Sequence, residues 1–284
     1  MKMKLAAVLT AFALAIAPSP GAGAQQPALN WVGSWAASQQ LPEPQNSLPP
    51  ELLNDATLRQ IVHLSVGGTV LRIHLSNAFG FLPLRLTSVH IARPLSPATS
   101  AIDPATDKPV SFSGKLNVII PAGSEFISDP IEIPVAPLSD LAVSIHYDLP
   151  PAEQTGHPGS RATSYLVHGD AVSAADLPGA RTFDHWYQLA AVDVAAQPGA
   201  AAIVTLGDSI TDGHGATTNG NDRWTDVLAQ RLQADSRTKN IGILNQGIGG
   251  NHLLRMASDP TPWRVSIAMC SRRLVSAGSF CSKA

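Results

Sequence analysis

The segment that most constrains the fold is a short apolar run in the last third of the chain. Ala201–Leu206 is aliphatic and β-branched, and it passes without a spacer into Gly207-Asp208-Ser209-Ile210-Thr211-Asp212-Gly213. A short apolar run closed by glycine is typical of a buried parallel strand, and the amphipathic segment that follows favours a strand-turn-helix unit. The sequence therefore predicts a tight turn that exposes Ser209 at the end of a strand, where a nucleophile is accessible.

The residues after this turn predict a loop, a helix and a second strand. Gly213–Asn221 predicts a glycine-rich loop, without the lysine that a phosphate-binding loop needs. Asp222–Gln233 predicts an amphipathic helix with Asp222 as its N-terminal cap. The expected apolar face is Trp224, Val227, Leu228 and Leu232, and the expected polar face is Arg223, Asp226, Gln230 and Gln233. Ile241–Leu244 predicts the next strand of a doubly wound parallel sheet, whose ligand crevice lies at the carboxyl ends of the strands.

Two stretches at this sheet edge resemble sequence blocks of one enzyme family. Gly207–Gly213 resembles, without a break, the first block of the SGNH/GDSL hydrolases, and Asn245–Asn251 resembles the second. The resemblance implies a flavodoxin-like three-layer α/β/α domain and a serine ester hydrolase that works through an acyl-serine, with Ser209 as the nucleophile. It implies that the backbone N–H groups of Ser209 and Gly250 bind the oxyanion. It implies no metal and no organic cofactor.

The other motif residues are expected to shape the turn rather than to act as acid or base. The positions given this structural role are Gly207, Asp208, Asp212, Gly213 and Asn245. Two plainer interpretations stay open. Ser209 can be no more than a helix cap, and the glycines that end at Gly250 can simply turn the chain out of a strand.

Two further blocks that the resemblance implies are missing from the sequence. There is no Gly-x-Asn-Asp to complete the oxyanion hole and no Asp-x-x-His to supply the general base. His214 and His252 lie near the motifs, but neither has an Asp three residues before it. Loss of the base alone removes several orders of magnitude of rate. The sequence therefore predicts an ester hydrolase that is inactive in this form.

The residues after Leu254 indicate a change of reading frame. Residues 255–284 show no hydrophobic period, no helix caps, and clustered Ser and Arg. Permitted codons for residues 256–271, read from one base earlier, encode a polar loop and an amphipathic helix, and Ser279–Ala284 permits Phe-Leu-Leu-Leu-Glu-Gly. We expect this tail to be poorly packed, and the sheet before it to keep an unpaired edge and an uncovered apolar face. Cys270 and Cys281 both lie in the tail, so their disulfide is not predicted.

Residues 25–198 predict a β-rich domain of its own. Short alternating segments separated by Pro and Gly favour an antiparallel sandwich or jelly roll. The predicted strands are Trp31–Ser38, at an edge, Leu58–Leu64, Thr69–Ser76, Leu84–Arg93, Ile131–Val135 and Leu141–Asp148. Gln197–Gly199 marks the boundary with the start of the hydrolase domain, which we place at residues 199–254.

Two of these strands carry more detailed predictions. Gly67-Gly68 predicts a two-residue hairpin between Leu58–Leu64 and Thr69–Ser76. In Thr69–Ser76, side chains that face the core are expected to alternate with side chains that face solvent. The core residues are Leu71, Ile73 and Leu75, and the wet residues are Arg72, His74 and Ser76. In Leu141–Asp148 the shared apolar face is Leu141, Val143, Ile145 and Tyr147.

The N-terminus and the composition limit where the protein works and what it binds. Residues 1–24 combine two lysines, a short apolar run and a small-residue cleavage site, which is typical of a secretory signal and predicts export to the periplasm or the medium. No later stretch predicts a membrane helix. A net charge of −2 without a basic run argues against nucleic-acid binding. The histidines between residues 63 and 185 lack metal-ligand spacing.

The expected partner is an ester substrate, either a small molecule or an acylated polysaccharide. Trp31–Ser38 and Ser76–Gly80 also resemble larger secreted members of the same family, some of them similar to xylan-associated acyl esterases. The alternative function is a non-catalytic carbohydrate-binding or cell-surface module with a vestigial α/β part. Trp186 and Tyr187 are its candidate sugar-binding residues, although such an aromatic pair is more often packing.

Overall fold

The computed structural model describes residues 29–251 and 280–283, and this part of the chain is mostly β-sheet. Its strands are β1 Trp31–Ala36, β2 Ala56–Leu64, β3 Gly68–Ser76, β4 Leu84–Leu86, β5 Ser88–Ala92, β6 Lys108–Pro109, β7 Val118–Ile120, β8 Glu125–Ile127, β9 Ile131–Val135, β10 Ser139–Tyr147, β11 Gly156–Pro158, β12 Ser164–His168, β13 Arg181–Phe183, β14 His185–Tyr187, β15 Leu189–Ala195, β16 Ala201–Gly207, β17 Ile241–Gly247 and β18 Phe280–Lys283. Its α-helices are α1 Ser209–Asp212 and α2 Trp224–Ala234. No helix in the described ranges is long and apolar enough to cross a membrane.

Two antiparallel sheets dominate the part before residue 196. One has the order β1-β15-β3-β8, with β9 also paired to β3, and the other has the order β13-β12-β2-β10-β5-β6. Both sheets contribute inward side chains to one hydrophobic core. The predicted edge position of the first strand is confirmed, since β1 pairs only with β15 in its own sheet among the described residues.

The apolar faces of β3 and β10 agree with the alternation in the sequence. The side chains that are fully buried there are Leu71, Ile73, Leu75, Leu141, Val143, Ile145 and Tyr147. The prediction that one face of β3 is exposed to solvent is wrong. His74 and Ser76 are buried, and both ring nitrogens of His74 bond to carboxylates, those of Glu125 and Asp193. Charged residues of neighbouring strands cover this face and satisfy its polar groups.

The hairpin predicted at Gly67-Gly68 is also wrong. β2 pairs with β10 and β12, whereas β3 pairs with β15, β8 and β9, so the connection crosses from one sheet to the other. Neither glycine has a positive φ. A Cβ on Gly67 would lie 2.5 Å from the Val135 carbonyl oxygen, and one on Gly68 would lie 2.8 Å from that of Ala195. Close backbone approach, not turn geometry, requires both glycines.

The predicted strand Leu84–Arg93 is divided into two. β4 pairs with β7 in a separate small sheet, and β5 pairs with β10 in the six-stranded sheet. The division falls at Thr87, whose backbone N–H donates to the His146 carbonyl oxygen. The apolar pattern is continuous through this point, which is why the sequence predicts one strand.

After residue 200 the pairing becomes parallel. β16 is the central strand of three, with β17 on one side and β18 on the other, and Gly207 of β16 lies opposite Gly247 of β17. The backbone of residues 280–283 therefore pairs with the side of β16 that a two-strand sheet leaves open, whereas β17 keeps the expected unpaired edge among the described residues. The rest of the tail, including Cys270, lies outside the described residues.

The apolar face of the parallel sheet is covered by the β-rich part. Ala202, Val204 and Leu244 belong to the same hydrophobic core as the antiparallel sheets. A Cβ on Gly33 of β1 would lie 2.7 Å from a methyl carbon of Leu244, so β1 lies directly on β17. The Ile243 N–H donates to Ser65 Oγ at 2.9 Å. The expectation of an uncovered face is wrong because the two parts pack into one core.

Helix α2 begins later and buries a different face than the periodicity indicates. Its N-cap is Arg223, whose N–H donates to Asp226, while Asp222 accepts a hydrogen bond from the Thr217 N–H. The buried residues of α2 are Thr225 and Ala229, and Trp224 is 40% exposed. Small residues face the sheet because the helix lies close to it, and the larger apolar residues flank that line of contact.

Candidate active site

Ser209 lies at the carboxyl end of β16, as the sequence predicts. Asp208 is the N-cap of α1, and its carboxylate accepts a hydrogen bond from the Ile210 N–H at 3.0 Å. Ser209 is the first helical residue, half-buried, and its hydroxyl makes no hydrogen bond to any residue between 29 and 251. The cap interpretation of Ser209 does not apply, because Asp208 has that role and leaves the serine hydroxyl uncommitted.

Two glycines let the Ser209 turn pack against the neighbouring strand. A Cβ on Gly207 would overlap the Thr211 hydroxyl, and one on Gly247 would overlap the backbone nitrogen of Asp212. Gly213 ends α1 in the left-handed region at φ 115°. These positions fix the turn through steric limits that larger side chains violate.

Gly250 lies at the same end of the parallel sheet as Ser209, where the carboxyl ends of β16 and β17 meet. The segment after β17 folds back on β16, since the Gly207 carbonyl oxygen accepts hydrogen bonds from the Ile248 N–H and from Asn251 Nδ2, both at 3.1 Å. Gly250 is exposed at φ 74°, and a Cβ there would have no neighbour within 4 Å. Glycine is therefore suited to this position by its backbone conformation rather than by a crowded neighbour.

Asn245 connects the three elements of the motif. Its Nδ2 donates to the Thr211 carbonyl oxygen at 2.7 Å and to Thr225 Oγ1 at 3.1 Å, while its Oδ1 accepts from the Gly247 N–H. The side chain thus ties α1 and α2 to the end of β17.

Asp212, the last residue of α1, contacts a histidine of the β-rich part. Its Oδ1 lies 2.7 Å from His157 Nε2, and the Ser38 carbonyl oxygen lies 2.7 Å from His157 Nδ1. Burial disfavours the charged ring, but the Asp212 carboxylate and the hydrogen bonds to Asp212 and Ser38 outweigh that cost and raise the pKa of His157, against the opposing charge of Arg223.

The geometry and the family comparison point to the same residues. Residues 203–262 match the family model of the GDSL-like Lipase/Acylhydrolase proteins. These residues, the GDSL-like segment, are similar to that family. No curated protein sequence matches the chain. The matched range includes Ser209, Asp212, Asn245 and Gly250, so it covers both motif blocks and extends eight residues beyond Leu254.

The loop between α1 and α2 joins the GDSL-like segment to the β-rich part. Asn219 exchanges two hydrogen bonds with Thr163, through Oδ1 at 2.8 Å and Nδ2 at 2.9 Å. Asn221 Nδ2 donates to Asp140 at 3.2 Å, and Asp140 lies 2.7 Å from His63 Nδ1. Both asparagines have positive φ, which this residue type tolerates better than most.

A small cavity lies beneath this loop. It has a volume of about 40 Å³ and its lining includes Trp35, His63, Asp140, Asn221 and Arg223. A drug-sized ligand needs several hundred Å³. The cavity is therefore large enough only for water.

The sequence did not predict several residues that contact the GDSL-like segment or are buried in it. His157 and Ser38 lie 55 and 174 residues before Asp212 in the chain, and no local pattern connects them to it. Arg223 was expected on a polar face, yet it is buried and donates to the Ser160 carbonyl oxygen. Apart from His214, the histidines of the described residues have side chains that bond to carboxylates or backbone groups. Within the described part of the chain they form no three-ligand cluster that could hold a metal ion.

Two remaining predictions concern the aromatic pair and the nearby histidines. Trp186 and Tyr187 are 5% and 2% exposed, and Trp186 packs edge-on against Trp35 with ring centroids 4.9 Å apart. The packing interpretation of this pair is therefore confirmed, and these rings are not accessible to a sugar. The backbone N–H of His214 donates to the Ser209 carbonyl oxygen, and its side chain is exposed. His252 lies outside the described residues.

Proposed function

We propose that this chain is a secreted serine ester hydrolase of the GDSL type whose turnover is lost in the present form. The observation that carries the proposal is the placement of Ser209 at the carboxyl end of β16, beside the Gly247–Gly250 segment at the end of β17. Two parallel strand ends that hold a serine and a glycine loop form a crevice of the kind in which α/β proteins bind ligands. The strand-helix-strand order supports a flavodoxin-like hydrolase domain.

The proposed chemistry is acyl transfer to Ser209. The serine hydroxyl attacks the ester carbonyl carbon, the alcohol leaves, and water then releases the acid from the acyl-serine. The N–H groups of Ser209 and Gly250 stabilise the negative charge on the tetrahedral oxygen. This chemistry needs no metal and no organic cofactor. The substrate class is a carboxylic ester, on a small molecule or as an acyl group on a polysaccharide.

The surroundings of the serine support the proposed loss of turnover. Its hydroxyl has no hydrogen-bonded base among residues 29–251. His157 is near in the fold, but both of its ring nitrogens are already bonded, so it does not accept the serine proton. A serine without its base retains only the rate that oxyanion stabilisation and binding supply.

The first test compares two versions of the gene. The present chain and its Ser209→Ala variant are expected to hydrolyse p-nitrophenyl acetate at equal rates. A chain restored to the neighbouring frame after Leu254 is expected to hydrolyse the ester, and Ser209→Ala in that chain is expected to lose about 10³-fold or more of the rate. An inactive restored chain, or one indifferent to Ser209→Ala, overturns the ester-hydrolase proposal.

Export is tested separately. We propose cleavage after Ala24, so the protein recovered outside the cytoplasm is expected to begin at Gln25. N-terminal sequencing of that protein decides the point, and an intact Met1 contradicts it.

A further inference from the structure

The contact between His157 and Asp212 joins the β-rich part to the turn that carries Ser209. His157 is on β11, whereas Asp212 ends α1, three residues after Ser209. The side chains are 4% and 13% exposed, so water hardly competes for the bond between them. The Asp212 N–H donates to the Asp208 carbonyl oxygen at 2.9 Å, which makes Asp212 part of the turn's own hydrogen bonding.

The two partners of the ring determine its protonation. A backbone carbonyl oxygen only accepts, so the contact with Ser38 requires a proton on His157 Nδ1. An ionised carboxylate also only accepts, so the contact with Asp212 requires a proton on Nε2. A neutral imidazole carries one N–H and would leave one contact between two acceptors. The geometry is therefore that of an imidazolium.

The groups packed around His157 fit a buried cation. Trp186 stacks on the ring at 5.8 Å between centroids, and Asp212 supplies the opposing charge. The other charged or titratable groups that face it are Arg223, which is paired with Asp226, and His185 on β14. The charge on Arg223 opposes protonation of His157, while its own bond to Asp226 offsets part of that effect.

We propose that His157 is a positioning residue for the nucleophile: as an imidazolium it bridges the Ser38 carbonyl and the Asp212 carboxylate, and so holds the Ser209 turn against the β-rich part. The role of the turn rests on the function proposed above, whereas the bridge itself does not. When the ring loses a proton, one of the two bonds is lost. The Ser209 turn then loosens while the antiparallel sheets stay intact.

The direction of the pH effect follows from the raised pKa. Below about 6.5, the value of a free histidine, the ring is charged in both folded and unfolded chains and the bridge contributes fully. As the pH rises through the higher pKa of folded His157, the contribution disappears. The bridge is therefore strongest at mildly acidic pH and weakest in alkaline solution.

The experiment measures hydrogen exchange of the turn amides in the mature chain from pH 6 to pH 9. Protection factors for the Asp212 and Gly213 amides, corrected for intrinsic exchange, are expected to fall about tenfold or more as the pH rises, which is the loss of one charge-assisted hydrogen bond. NMR of the ring nitrogens is expected to show two N–H groups on His157 at neutral pH. Amides of β10 report whether the sheets remain folded.

Asp212→Asn is the matched control. The Asn amide donates to a neutral His157 Nε2 while Nδ1–H still donates to Ser38, so both contacts survive without a charge. The pH dependence of protection is expected to vanish in this variant. His157→Gln makes only one of the two donor bonds and is expected to show low protection at every pH, with unchanged β10 protection.

Two results overturn the inference. One is a protection profile in the unaltered chain that stays flat over the pH range in which the ring nitrogens are seen to lose a proton. The other is a single ring N–H on His157 at neutral pH. Neither readout uses an ester, so a flat profile in a protein whose frame-restored form hydrolyses esters refutes the bridge and leaves the proposed function standing.

Discussion

Gly247 shows how strictly single residues define the Ser209 turn. It faces Asp212 across the interface between β17 and α1, and a Cβ there meets backbone rather than a movable side chain. Gly249, two residues on, has its nearest potential contact at 3.9 Å, with Asp212 Oδ2. Neither glycine has a positive φ. A difference in stability between alanine variants at the two positions therefore reports steric contact and not backbone conformation.

We expect Gly247→Ala to lower the free energy of unfolding by about 1–3 kcal/mol, the usual cost of forced overpacking. Gly249→Ala is the control and is expected to change it by less than about 1 kcal/mol in either direction. Urea titrations of the two variants measure the difference. Equal stabilities would show that α1 moves aside at no cost.

The residues of the candidate site divide by how local their signal is. Ser209, Asn245 and Gly250 lie in two contiguous blocks, so sequence analysis located them. His157 has no such signal, because its role comes from a fold that brings β11 beside α1. The buried ion pairs of β3 were not predicted for the same reason. In the sequence His74 is only a polar strand residue, and the fold alone brings Asp193 and Glu125 beside it.

At the scale of elements, short and strongly patterned strands were predictable, whereas their partners were not. β9 and β16 agree with their predicted ranges to within one residue. The hairpin prediction at Gly67-Gly68 was wrong because two adjacent glycines fit either a tight turn or the close approach of another backbone. Only the tertiary structure shows which of the two applies. The buried face of α2 was predicted wrongly because the sequence periodicity places large apolar residues on one face, whereas a helix that lies close to a sheet buries its small residues.

The loop before α2 carries the prediction at this scale. Asn219→Ala removes two hydrogen bonds to Thr163 and places alanine at φ 63°. We expect the loop to open about tenfold more often, seen as faster limited proteolysis between residues 213 and 223. Asn240→Ala is the control, because Asn240 is exposed and makes no side-chain hydrogen bond within the described residues. A loop cleaved at the same rate in both variants refutes the docking role.

At the scale of the whole molecule, the two predicted parts share one interior. Leu244 packs over Gly33, and Ala202 and Val204 complete the core of the antiparallel sheets. The boundary at residues 197–199 stays a prediction about the chain, but the packing does not stop there. The sequence does not reveal a shared core because each part has a hydrophobic pattern of its own.

The β-rich part alone is therefore expected to be less stable than a chain of residues 25–284. A fragment of residues 25–198 leaves the outer side of β1 uncovered. We expect a melting temperature lower by several degrees, about 2–4 °C for each kcal/mol lost in a chain of this size, and binding of a hydrophobic dye. A fragment that melts at the same temperature as the longer chain and binds no dye contradicts the shared interior.

The position of β1 also constrains the order in which the chain can fold. Among the described strands β1 is the first to be synthesised, but its antiparallel partner is β15, residues 189–195, and the strand that lies on it is β17, residues 241–247. Contacts this distant in sequence form slowly, because a long loop must close before any of them is gained. This strand therefore stays unpaired until the chain has reached Ala195, and its outer side stays uncovered until Gly247 has been made. The late arrival of both neighbours favours assembly of the core near the end of synthesis or after it, and leaves the early chain dependent on chaperones.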